Sequence, residues 1–271
     1  MPSFRIASYN VLADAYLRPE WFRHVAPERL DPAWRDPALV RRILALDADV
    51  ACLQEVEEGR YARLAAAFEA YGYAGRFGQK GRRRPDGCAT FVRTSRVSVL
   101  ETRAHHFRDG VERELSSGHL ALITRLAIDG APVSVANTHL RFDPPARRGL
   151  DHIGVRQAHE LADEMLATDD ARVVCGDLND DPASDVVRTF LERDFADAYA
   201  VRSSDYTCNI KGRARRIDFI LTGPAFATEP VPLSPLSDTA PMPAADEPSD
   251  HRPIAATLYC PTNASRRSAP N

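Results

Sequence analysis

A chain of 271 residues, 44% hydrophobic and with a formal net charge of -3, can bury one sizeable core and has no global basic field for gripping long nucleic acid. Five cysteines, Cys52, Cys88, Cys175, Cys208 and Cys260, show no metal-ligand spacing and read as free thiols of a reducing compartment. No charged leader with an apolar region opens the chain and no apolar run reaches membrane-spanning length, so a cytoplasmic protein without membrane association is expected.

In chain order, the first apolar run covers residues 4–10 and ends Tyr9-Asn10. Residues 37–46 place Leu39, Val40, Ile43 and Leu46 at helical spacing, and feed a buried strand over 50–55 that ends Gln54-Glu55. A second helix is expected over 61–68. Residues 79–87 form a dense basic turn holding Lys80, Arg82, Arg83 and Arg84 before Pro85-Asp86-Gly87. Runs over 88–92, 97–100, 120–128 and 133–136, joined by short turns such as Asp129-Gly130, read as antiparallel sheet. The last of these continues into Asn137-Thr138-His139. A third helix over 155–166 precedes Val173-Val174-Cys175-Gly176, which leads to Asp177-Leu178-Asn179. Asp218 stands between Ile217 and the run Phe219-Ile220-Leu221. Residues 229–248 contain six prolines without periodicity and end at Ser249-Asp250-His251, which suits either a lid or a long connection. Residues 263–271 read as a disordered tail behind one domain over 1–262. So many strands between helices imply two packed sheets with helices outside.

Each of these polar residues follows or borders a strand-like run, so strands sharing sheets would gather them at one edge. Glu55 with the amide oxygen of Asn10 makes a hard-cation environment with positions left for water and substrate. Asp177 can take a proton from water, and Asn179 can donate to a phosphate. His251 can activate water or hold a phosphate oxygen, with Asp218 fixing its tautomer, and His139 can donate to the phosphate or the leaving group. Set against this, each residue taken alone has a plain structural explanation. His24, His105, His106, His119, His152 and His159 carry no such context and read as structural.

The ordered set Tyr-Asn, Gln-Glu-Val, Thr-His-Leu, Gly-Asp-x-Asn, Ile-Asp-Phe-Ile and Ser-Asp-His resembles the endonuclease/exonuclease/phosphatase superfamily, over residues 4–258. Tyr9-Asn10-Val11-Leu12, Trp34, Cys52-Leu53-Gln54-Glu55-Val56-Glu57, Pro85-Asp86-Gly87-Cys88-Ala89 and Tyr206-Thr207 narrow the likeness to the clade of mRNA deadenylase catalytic subunits, Nocturnin and Angel. The resemblance implies a four-layer α/β/β/α sandwich like that of deoxyribonuclease I, with Mg²⁺, replaceable by Mn²⁺, at its open edge. It implies Glu55 as principal metal ligand with Asn10 and Asp250 nearby, Asp177 orienting water, Asn179 and His139 on the phosphate, and Asp218 behind His251. Asp86 would position the nucleotide. Unlike the deadenylases, this chain carries no leucine-rich repeat domain.

The expected function is a Mg²⁺-dependent phosphoesterase at the 3′ end of RNA, acting as an exonuclease or on a terminal phosphate. A phosphatase for a small nucleotide or dinucleotide is the second reading, and a non-catalytic interaction module the third. Lys80, Arg82 and Arg84 are candidates for a local anion site, with a solvated loop as the alternative. No protein partner can be deduced.

Overall fold

The computed structural model describes residues 3–110, 116–144, 152–202 and 205–260, so the expected tail over 263–271 lies outside the described residues. Two six-stranded sheets carry the fold. The first has the order β13 (Ala227–Pro230), β14 (Ile254–Tyr259), β1 (Ser3–Asn10), β2 (Val50–Glu57), β4 (Asp86–Arg93) and β3 (Tyr73–Gln79). The second has the order β5 (Val97–His106), β6 (Leu120–Ile128), β7 (Ala131–His139), β8 (Ala171–Asp177), β12 (Asp218–Thr222) and β9 (Ala196–Asp197). β1 pairs β2 in parallel and β7 pairs β8 in parallel, while the other pairings within the sheets are antiparallel. A separate hairpin joins β10 (Cys208–Asn209) to β11 (Ala214–Arg215).

Side chains alternate between the two faces of a strand, and here that alternation builds both the core and the site. Phe4 and Ile6 of β1, Val50 and Cys52 of β2, Val133 and Val135 of β7, and Val173 and Cys175 of β8 fill the layer between the sheets. Continuing each series by two residues gives Ser8 and Asn10, Gln54, Asn137 and His139, and Asp177. The same inward face thus changes from apolar to polar along each of these four strands, in each case toward the C-terminal end. Gln54 Nε2 donates to Asn137 Oδ1 at 2.8 Å, closing the polar end against the apolar one.

The outer faces are covered by helices. α1 (Pro32–Leu44) and α2 (Glu58–Glu69) bring Leu39, Ile43, Leu64 and Phe68 onto Leu53, Ala89 and Phe91 of the first sheet. α3 (Ile153–Leu166) and α4 (Asp185–Leu191) bring Leu161, Ala162, Met165 and Phe190 onto Val174, Phe219 and Leu221 of the second. The result is the four-layer α/β/β/α sandwich. Among the described residues no helix is long and apolar enough to cross a membrane.

Several elements differ from their sequence expectations. α1 begins before residue 37, because Asp31 caps it by accepting from Ala33 N at 2.7 Å and Pro32 occupies the first turn; Pro37 then lies inside the helix. α4, capped by Ser184, and the glycine-containing β3 were not expected. β5 runs on to His106 with much of its length half-exposed, which hides the apolar signal. The proline-rich segment starts in edge strand β13, where Pro230 needs to donate no ladder hydrogen bond.

Gly176 adopts a φ of +145°, and a Cβ there would lie 1.8 Å from the Thr138 carbonyl oxygen, so β7 and β8 can approach only with glycine at this point. Gly130, with a φ of +80°, has open space around it. Gly176→Ala is expected to destabilise by about 3 kcal/mol or more, against about 1 kcal/mol for Gly130→Ala, in urea unfolding. Equal losses in the two variants would contradict the proposed crowding.

Candidate active site

Strand register delivers the site. Asp177 stands opposite Asp218 across the β8–β12 pair and opposite His139 across β7–β8. Asn10 stands opposite Gln54 at the end of β1, and Ser8 faces Ile254 of β14, so the preceding Ser249-Asp250-His251 segment lies beside Asn10. Ser249 Oγ donates to the Asn10 carbonyl at 2.7 Å, and His251 forms an isolated bridge with Cys208.

Glu55 is aimed by a bulge. The register between β2 and β4 shifts between Gln54 and Val56, and Glu55 takes a φ of +57°, a conformation that turns its side chain out of the strand alternation. Opposite, Gly87 permits the tight approach of β3, since a Cβ there would sit 2.0 Å from the Gly78 carbonyl oxygen. Asn179 also has a positive φ, +57°, just past β8.

The expected groups converge. Asn10 Nδ2 donates to Glu55 Oε1 at 3.1 Å and to Asp177 Oδ2 at 3.0 Å. Its oxygen accepts from Leu12 N at 3.0 Å, so in this arrangement the amide nitrogen faces the carboxylates and the oxygen faces the backbone, unlike the expected metal contact. Ala13 N donates to Glu55 Oε2 at 2.9 Å. His251 Nδ1 and Asp218 Oδ2 are 2.9 Å apart, and His251 Nε2 lies 3.7 Å from Asp177 Oδ2. His139 Nε2 lies 3.7 Å from the same oxygen and 2.8 Å from Asn179 Nδ2.

The four basic-turn candidates behave differently. Lys80 and Asp86 are buried and paired with each other at 2.6 Å. Arg84 donates through Nε to the Ser117 carbonyl at 2.9 Å, and Arg82 is exposed. None of the four lines the cleft of about 420 Å³ that opens over the site. Its floor is formed by Glu55, His139, Asp177, Asn179, Asp250 and His251; its walls include Trp21, His24, Lys211 and Met242. Lys211 Nζ sits 3.7 Å from the centre of the Trp21 ring, a cation–π contact between distant parts of the chain. These wall residues carry no sequence signal beyond a lone exposed aromatic and one of two lysines.

A family model described as the Endonuclease/Exonuclease/phosphatase family matches residues 7–251. The chain belongs to that family. Protein angel homolog 2 of Mus musculus is 33% identical over 195 residues, which cover 67% of this chain and 35% of that protein. The CCR4-Not complex 3′-5′-exoribonuclease subunit Ccr4 of Candida glabrata is 28% identical over 220 residues, 69% of this chain and 25% of the other. The chain therefore matches about a third or less of the length of these curated relatives. The crystal structure of ANGEL2, a 2′,3′-cyclic phosphatase, has the same fold, with a TM-score of 0.83 at 23% identity over 94% of this chain and 95% of that one.

In this member of the endonuclease/exonuclease/phosphatase family, burial dominates the electrostatics. It raises Glu55 to about 7, with the charges of Asp250 and Asp86 adding to the effect. It raises Asp177 to about 6, opposed by His251 and reinforced by Asp218. Burial also raises Asp250. For His251 burial disfavours the charge, but Asp218 and Asp177 outweigh it and hold the ring protonated. His139 is pushed well below the ordinary histidine value by burial and by Lys80, and is neutral.

Asp177, Asp218 and His251 bring potential ligand atoms within 4.8 Å of one another and could hold a metal ion. The hydrogen already shared between His251 and Asp218 competes with that use, because a metal there would have to displace it. Glu55 feels the charge of Asp250, and two carboxylates on the cleft floor are donors of the kind a hard divalent ion takes.

Ionising Glu55 in the folded chain is unfavourable, so the stability it contributes is present below its ordinary value near 4.5 and is lost as pH rises through about 7. In metal-free protein, unfolding midpoints should therefore fall between about pH 5 and pH 8. Glu55→Gln should remove roughly 2–3 kcal/mol of that decline. Glu247, also raised to about 7 by burial, Asp177, raised to about 6, and Asp250 should keep the remainder. An identical slope in wild type and variant would contradict the assignment.

Proposed function

We propose that the chain is a Mg²⁺-dependent phosphoesterase, with Mn²⁺ able to substitute, that acts at the 3′ end of RNA as an exonuclease or on a terminal or 2′,3′-cyclic phosphate. The observation that supports this best is the cleft: about 420 Å³ placed directly on the carboxylate and histidine cluster, room for one nucleotide rather than a length of strand. The cyclic-phosphate option draws on ANGEL2, which has also been solved with adenosine-2′,3′-vanadate, and the exonuclease option on Ccr4. All five cysteines are free, which suits the reducing cytoplasm.

Glu55 and Asp250 would hold the metal, which supplies charge neutralisation of the phosphate and a more acidic water. Asp177 is the base. Its Oδ1 accepts from Asn179 N at 2.8 Å and its Oδ2 from Asn10, which fixes the carboxylate, and its position near pH 6 suits proton uptake from the attacking water at neutral pH. His251, protonated and locked on Asp218, presents Nε2–H to the phosphate. Asn179 and His139 donate from the other side. Two groups driven to opposite protonation states within one site is the usual arrangement for separating base and donor roles.

A second reading, a phosphatase for a small nucleotide or dinucleotide, is favoured by the basic turn, where Lys80 and Arg84 are engaged within the protein and leave less positive surface for a polymer. Product analysis with Mg²⁺ on 5′-labelled RNAs ending in 3′-hydroxyl, 3′-phosphate and 2′,3′-cyclic phosphate separates these outcomes. Shortening or end conversion of at least one RNA is expected, absent in Asp177→Asn. Hydrolysis of free nucleotides with all three RNAs untouched would overturn the RNA assignment in favour of the second reading.

A further inference from the structure

We propose that Lys80 is a positioning residue that fixes the tautomer of His139, so that the ring presents Nε2–H to the cleft. Lys80 follows β3 at the mouth of the basic turn, yet only 3% of it is exposed. Its backbone N donates to the Asp86 carbonyl at 3.1 Å, which sets the two residues side by side. Nζ then lies 2.6 Å from Asp86 Oδ2 and 3.2 Å from His139 Nδ1. The phenol of Tyr16 donates to the other Asp86 oxygen at 2.7 Å, so the carboxylate that holds the ammonium is itself held.

An ammonium has three hydrogens and no lone pair, and can only donate. A hydrogen on His139 Nδ1 would point at it head-on. With Nδ1 bare, a neutral ring carries its one hydrogen on Nε2. Two contacts compete: Glu55 Oε1, 3.9 Å from Nδ1 and beyond hydrogen-bond reach, and Asn179 Nδ2, 2.8 Å from Nε2 and 2.8 Å from the Leu140 carbonyl; the carbonyl orients the amide, so this nitrogen is also a donor. Were the amide to win, the imidazole hydrogen would be forced against a buried cation. The ammonium contact is charge-assisted and roughly twice as strong as a neutral one, so Lys80 decides the tautomer.

The consequence concerns substrate. Imidazole Nε2–H and the Asn179 amide are adjacent donors, and one anionic oxygen beside them accepts from both. Lys80 therefore acts on the phosphate through His139 rather than by touching it, which differs from the anion-binding part expected of it in the sequence. What the ring donates to rests on the phosphoesterase reading; the tautomer does not.

The test is a long-range ¹H–¹⁵N correlation spectrum of the ¹⁵N-labelled full chain at neutral pH, with the His139 signals identified by their loss in His139→Gln. Wild type should show Nε2 protonated and Nδ1 bare. Lys80→Arg, which can still only donate, should keep that pattern, and Lys80→Met should move the ring toward Nδ1–H. Lys80→Met/Asp86→Asn, which leaves no unpaired buried carboxylate, should show the same move and serves where the single variant fails to fold. Turnover should fall at least several-fold in the Met variants and recover in Lys80→Arg. A wild-type ring with Nδ1 protonated, or Nε2–H unchanged in both Met variants, overturns the assignment. Absence of hydrolysis by wild type with the expected spectra would sink the phosphoesterase reading and leave the tautomer assignment standing.

Discussion

Carboxylates packed together away from water repel one another and lose hydration, at a cost of several kcal/mol for each ion left uncompensated. Glu55, Asp177, Asp218 and Asp250 meet in this way at one end of the two sheets, and the surrounding structure is best understood as their compensation. His251 sits charged between Asp177 and Asp218. Asn10 places one amide nitrogen between Glu55 and Asp177, and backbone N–H groups of Ala13 and Asn179 supply two further donors. They bring Asp177 only to about 6, and Asp218 Oδ1 still has no hydrogen-bond partner among the described residues. Burial raises Glu55 and Asp250 likewise, and under the proposed function a bound cation would balance them where the cleft opens.

Such a cluster also needs its chain segments held against mutual repulsion, and buried arginines do this. Arg35, fully buried, gives NH2 to the carbonyls of Val11 and Leu12 at 2.6 Å each, NH1 to Asp14 at 2.6 Å and Nε to the Pro248 carbonyl at 3.0 Å. One guanidinium thus joins the segment after Asn10 to the segment before Asp250, from opposite ends of the chain. Tyr9 donates to Glu247 in a short hydrogen bond, and Arg42 pairs with the same carboxylate at 3.0 Å, anchoring the proline-rich segment where it enters the site. That segment is therefore tied down at its C-terminal end. Asn209 ties it again, donating to the carbonyls of Ser237, Asp238 and Ala240.

The strands and their polar ends were readable because both follow from one period: a buried strand that alternates Val173, Cys175 and then Asp177 announces its own exit from the core. The ordered motifs then named the family. Three kinds of information were not in the pattern. The bulge that turns Glu55 toward its partners is a backbone event with no side-chain signature. The pairing of Lys80 with Asp86 depends on the turn that sets them side by side, and a run of cations looks solvated until one of them is seen to fold inward. The cleft walls, Trp21 beside Lys211, join residues with no sequence relation, so only tertiary structure brings them together. Arg35 escapes the sequence reading for a different reason: it precedes the helix expected over 37–46, and an arginine outside any motif ordinarily faces water.

The central claim, that uncompensated charge at Glu55 and Asp250 is what a divalent cation neutralises, is tested most directly by calorimetric titration of Mg²⁺ into wild type and Glu55→Gln at neutral pH. Binding to wild type that weakens at least about 10-fold in the variant, with thermal stability of the metal-free variant equal to or above wild type, is the expected result. Unchanged Mg²⁺ affinity in Glu55→Gln would show that the ion is held elsewhere and would contradict the account.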